Sequence, residues 1–114
     1  MRISVQSIHF NADRKLLAFI QKKADKLDQF YDQIISGEVY LRLEKTEDEE
    51  NKILELKVNL PGIMLFSKQQ CKTFEEAADL ATESLRRQID KYKSKLRARL
   101  SNYKMDFVQN MAKA

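Results

Sequence analysis

The sequence predicts an α+β fold with the element order β-α-β-β-β-α, a four-stranded sheet with two helices packed on one face. Three observations predict it. First, Phe74, Ala77, Ala78, Ala81, Leu85, Ile89, Tyr92 and Leu96 recur at steps of three and four, which gathers them into one narrow arc of a helix. Second, residues 38–45 (EVYLRLEK) and 53–60 (ILELKVNL) alternate apolar with polar, the period of a strand with one buried face. Third, only two Gly and one Pro interrupt 114 residues, so the elements are long and the connections few, as in one domain.

Residues 2–8 read as the first strand, with Ile3 and Val5 on one face. His9 follows. It has no companion His and no Cys/His cluster around it, so it reads as a polar residue near a turn and not as a metal ligand. Asp13 is the N-cap of a first helix running to about Tyr31, whose expected buried stripe is Leu16, Leu17, Ile20, Ala24, Leu27 and Tyr31. Phe19, Lys23, Lys26 and Phe30 lie together on one flank of it. Two readings of that flank stand open: rings that stack on RNA beside lysines that hold phosphates, or rings that pack over the neighbouring helix.

Gly37 ends the connection to the second strand, where Val39, Leu41 and Leu43 should face the core. Residues 44–50 carry five acids and one lysine but lack the Gly and ligand spacing of a calcium loop, so they read as a solvated hairpin tip. Leu54, Leu56, Val58 and Leu60 should point inward from the third strand. Pro61-Gly62 is a turn, residues 63–72 are a fourth strand, and Cys71 is a small filler at its end. Thr73 then caps the second helix, with Glu76 three residues later completing a capping box. Three strands in succession form an antiparallel meander. The first strand joins by a right-handed crossover, parallel to the second. Arg99 falls in the sector that was apolar earlier, so the helix should leave the sheet near residue 98. Residues 1–98 are thus the expected domain. Residues 99–114 are the expected tail, flexible or helical, with Leu100, Tyr103, Phe107 and Met111 at loose helical spacing.

The second helix sorts its charges. Glu75, Glu76 and Asp79 sit at its start, where the helix dipole favours anions. Residues 83–99 hold seven basic and two acidic residues, a net +5 in a chain whose total is +4. Arg87, Lys91 and Lys95 run along one flank of the apolar stripe, and Arg86, Lys93 and Arg97 along the other. Basic rails beside a buried stripe suit phosphate binding, and they equally suit a solvated helix end that satisfies its dipole.

Several function classes are excluded or disfavoured. No Gly-rich phosphate loop, Ser/His/Asp set or metal-ligand spacing occurs, so no enzyme, cofactor or small-molecule substrate is predicted. The longest wholly apolar run is Ile63–Phe66, far too short for a bilayer, and Met1-Arg2-Ile3 opens into a strand pattern and not a secretory signal. A lone Cys71 fits a reducing, cytoplasmic setting.

These residues resemble a known family, the ribosome hibernation-promoting factors, the group that includes ribosome-associated inhibitor A. The resemblance lies in the pattern Leu16 to Phe30 with Lys23, Lys26 and Leu27. It is stronger in Phe74-x-x-Ala77 and Leu85-x-Arg87-Gln88-Ile89-x-Lys91-Tyr92-x-x-Lys95. It covers residues 1 to about 98. It implies a partner, the small ribosomal subunit and its ribosomal RNA, bound in the channel that transfer RNA and messenger RNA use, with ribosomes held idle in starvation or stationary phase. It carries RNA contact onto Lys23, Lys26, Arg87, Lys91 and Lys95, to which Arg86 and Lys93 are added from the rails. Ser84 stands where the family often has a lysine. Long members carry a second, dimerising domain for which this sequence has no room, so the resemblance is to the short type, a monomer when free. About six phosphate contacts would make binding fall roughly twenty- to fortyfold on doubling the salt. The rival readings are a general double-stranded RNA-binding module, and a protein-interaction module acting through the apolar tail.

Overall fold

A computed structural model describes residues 1–8, 10–44 and 50–112, with side chains as far as Leu100. His9 and the acidic tip at residues 45–49 lie outside the described residues, as do the side chains of Tyr103, Phe107 and Met111. The elements are β1 (Ile3–Ile8), α1 (Arg14–Phe30), β2 (Ser36–Leu43), β3 (Lys52–Leu60), β4 (Ile63–Cys71) and α2 (Phe74–Ala112). The sheet order is β1-β2-β3-β4, with β1 parallel to β2 and the other pairs antiparallel, as the sequence predicts.

Local chemistry sets the boundaries. The Asp13 carboxylate accepts from the Leu16 amide at 2.7 Å and starts α1. The Thr73 hydroxyl accepts from the Glu76 amide at 3.1 Å and starts α2. Replacing either cap by Ala should cost about 1 kcal/mol in chemical denaturation. Gly62 sits at φ 80° in the Pro61-Gly62 turn, where a left-handed residue is required. A Cβ at Gly37 would lie 2.8 Å from the Met1 sulfur, the end of a flexible side chain that can move aside.

Both helices lie on one face of the sheet and enclose the core. Leu27 of α1, Val39 and Leu41 of β2, Leu54 and Val58 of β3, and Leu85 and Ile89 of α2 are its largest fully buried members. Ala77, Ala78 and Ala81 let the first turns of α2 lie close to the sheet. The rings of Phe10 and Phe74 stack with centroids 5.3 Å apart and close the end of the core beside the start of α2.

Two expected core residues are not in it. Leu17 is 37% exposed, because it lies on the flank of α1 turned away from α2, where the sheet ends at β1. Leu43 is 49% exposed, because it is the last residue of β2 and extends past the helical layer. Tyr31 is half-buried and serves as the C-cap of α1, its amide donating to the Leu27 carbonyl at 2.9 Å. Beyond the half-buried Leu96, α2 continues without a break through Arg99 to Ala112, a helix about 58 Å long at 1.5 Å per residue.

Candidate nucleic-acid interface

The seven basic candidates all lie on the helical layer, and the packing divides them into two groups. Three are engaged within the protein. Lys23 Nζ lies 2.5 Å from the Asp79 carboxylate and 5.3 Å from the Phe19 ring centroid, so it ties α1 to α2. Arg86 pairs with Glu83 at 3.6 Å and lies 5.3 Å over the Phe30 ring. Lys93 Nζ sits 4.9 Å over the same ring and 5.8 Å over Tyr31, and donates to the Phe30 carbonyl at 3.5 Å. α1 has no basic residue in its own last turn. Lys93 therefore supplies from α2 the cation that the C-terminus of α1 lacks.

The other four, Lys26, Arg87, Lys91 and Lys95, are exposed and make no ion pair or hydrogen bond among the described residues. Arg87, Lys91 and Lys95 follow one another at steps of four, about 6 Å apart along one flank. The side chains between them fix that flank against the edge of the sheet. Gln88 Nε2 donates to the Phe66 carbonyl of β4 at 2.9 Å, and the Tyr92 hydroxyl donates to the Pro61 carbonyl at 3.2 Å. Ser84, on the same flank, accepts from Gln88 at 3.2 Å. Arg86 is on the opposite flank, over Phe30.

The expected groove exists, and its second wall is the Arg86 flank, not the Arg87 flank. A cleft of ≈ 740 Å³ opens between α1 and α2, bordered by Lys23, Lys26, Phe30 and Arg86, with Asp79 and Glu83 also in its walls. The two acids offset two of the three cations. Arg86 and Lys93 of α2 both lie over the Phe30 ring, which also lines this cleft. The opposite, open face of the sheet is different again. Across β2 and β3 its charges are paired, Arg42 with Glu55 at 3.1 Å and Lys57 with Glu38 at 3.7 Å. The Tyr40 hydroxyl donates to Glu38 at 2.9 Å, and that bond to a carboxylate pushes its pKa up.

Sequence reasoning did not find Asp79 or Glu83 as partners. The Glu83–Arg86 contact has a readable three-residue spacing. The Lys23–Asp79 contact has no local signal, because it joins residues on different helices. Among the described residues no group of three or more His, Cys, Asp or Glu could hold a metal ion, and no helix is long and apolar enough to cross a membrane.

Comparison with known proteins agrees with this fold. The chain is 27% identical over 96 residues to a ribosome hibernation promotion factor of Bacillus subtilis (strain 168), an alignment that takes in 84% of this chain and 50% of that protein. The chain thus spans about half the length of that relative. A ribosomal subunit interface protein from Coxiella burnetii superposes with a TM-score of 0.74 at 22% identity, over 82% of this chain and 99% of that one. The N-terminal domain of Thermus thermophilus Protein Y superposes with a TM-score of 0.70 at 22% identity, over 81% and 99%. At that identity the two structures speak to the fold alone. Residues 3–97 match the family described as Sigma 54 modulation protein / S30EA ribosomal protein, and on that match, which takes in all four strands, α1 and α2 as far as residue 97, the chain belongs to this family.

Proposed function

We propose that this protein is a ribosome hibernation factor that binds the small ribosomal subunit as a monomer, through its helical layer, in the channel used by transfer RNA and messenger RNA. It acts in the cytoplasm, by occlusion and not by catalysis, and holds ribosomes idle under starvation or in stationary phase. The observation that carries this reading is the group of four exposed, unengaged cations, Lys26, Arg87, Lys91 and Lys95, on a helical layer fastened to a rigid sheet. Membership of the family, and the name of the Bacillus relative, support a ribosomal partner. Phosphate contacts position such a surface without reading bases, so shape fit to folded RNA supplies the selectivity.

The test is co-sedimentation of the purified protein with small subunits, large subunits and intact ribosomes across a salt series, with excess duplex RNA as competitor. Four phosphate contacts at ~0.7–0.9 released ions each predict a roughly seven- to twelvefold loss of affinity on doubling the salt. A loss of roughly thirty- to eightyfold would mean that the three engaged cations also reach phosphate. Binding that the competitor strips away would instead identify a general double-stranded RNA-binding module. A protein that stays at the top of every gradient would contradict the ribosomal reading outright.

A further inference from the structure

Among the described residues, Lys23–Asp79 is the ion pair that joins α1 to α2. Its two members are unlike. The Lys23 side chain is 23% exposed and is held from its other side by the Phe19 ring, whereas the Asp79 side chain is 52% exposed. Lys23 also borders the inter-helix cleft together with Lys26 and Arg86. A phosphate entering the cleft therefore meets the Asp79 carboxylate at the same ammonium it would bind. At Lys23 it competes with Asp79 for the ammonium, and a displaced carboxylate is exposed enough to be taken up by water.

We propose that Asp79 is a specificity-determining residue for RNA binding, an internal counter-ion that withholds Lys23 from phosphates the rest of the surface has not already positioned. The proposal rests on the RNA-binding reading above. A phosphate of an arbitrary duplex arrives with no help and gains little from an exchange of one anion for another. A phosphate of an RNA surface already held by Lys26 beside the cleft and by Arg87, Lys91 and Lys95 on the other flank of α2 is effectively intramolecular, and its high local concentration drives the exchange. The pair thus weakens general RNA binding more than it weakens binding to the fitted surface.

The experiment measures Kd for small subunits and for a short RNA duplex over a salt series, with the wild-type chain, D79N, D79N/K23Q and the control D90N. Asp90 is exposed on α2 and pairs with nothing among the described residues, so D90N removes the same charge without touching Lys23. Thermal melts of every variant establish that the fold is intact. D79N should bind duplex RNA about three- to eightfold more tightly near 0.1 M salt, with a salt dependence steeper by ~0.7–0.9 in log–log slope, the signature of one added phosphate contact. Its gain on small subunits should be smaller, so the preference for subunits falls. In D79N/K23Q the gain should shrink to that of D90N. Equal gains from D79N and D90N, or a D79N gain that survives K23Q, would overturn the proposal, because Asp79 would then act only as a general negative charge. Equal gains on subunits and duplex would overturn its role in selectivity. A wild-type chain that binds neither RNA would instead overturn the functional reading beneath it.

Discussion

Reversing Arg87 and Lys91 together, R87E/K91E, is expected to abolish ribosome binding and to leave the fold in place. Each lost phosphate contact is worth about a five- to eightfold change near 0.1 M salt, and each reversal adds repulsion of similar size, so the combined loss is about a thousandfold. The fold should tolerate the change because both side chains are exposed and neither has a partner among the described residues. The cost to α2 itself is small. Glutamates at 83, 87 and 91 would stand at four-residue spacing, and each such pair costs about 0.2–0.5 kcal/mol. Circular dichroism and a melt would register the intact helix, and a gradient would register the lost binding. Co-sedimentation of this variant at wild-type affinity would remove the rail from the interface.

Leu85→Ala is expected to have the largest effect on stability. The first turns of α2 meet the sheet with Ala77, Ala78 and Ala81, which bury little area each. The large anchors are Leu85 and Ile89, both 0% exposed. Truncating Leu85 removes its transfer free energy and leaves a cavity in a layer held on both sides, for a loss of about 3 kcal/mol. For a domain of this size that lowers Tm by about 12–24 °C. The same truncation at Leu100, which is 60% exposed, should move Tm by little. Because Arg86 and Arg87 adjoin Leu85, the residue that holds α2 to the sheet also holds both basic flanks in place. A Leu85→Ala variant that melts like the wild-type chain would show that the α2 stripe is not the anchor of the fold.

The fold was legible because its determinants are local and periodic. Strict alternation in residues 54–60 and the three-and-four spacing from Phe74 to Ile89 each admit one face and one buried side, whereas Ile53, next to Leu54, is buried on the other face of the sheet. The two N-caps were legible for the same reason, since Asp13 and Thr73 bond within three residues of themselves. What was not legible depends on where layers end. Leu17 and Leu43 satisfy their periodicity, and they are exposed because the sheet or the helical cover stops before reaching them. The candidate site divides along the same line. That Arg87, Lys91 and Lys95 share a flank follows from spacing alone. That Lys93 spans Phe30 and Tyr31, or that Lys23 belongs to Asp79, follows from how two helices distant in sequence are laid side by side. Sequence places cations on a face, and packing decides which of them remain available to a partner.

On the proposed function, the protein meets the small subunit with its helical layer and leaves the open face of the sheet outside the contact. This arrangement is tested most directly by site-specific photocrosslinking, with the reactive side chain placed at position 91 on α2 or at position 57 on the open face of β3, in chains incubated with intact ribosomes. Crosslinks are expected from position 91 to small-subunit ribosomal RNA, and none above background from position 57. Crosslinks from position 57 with none from position 91 would contradict it.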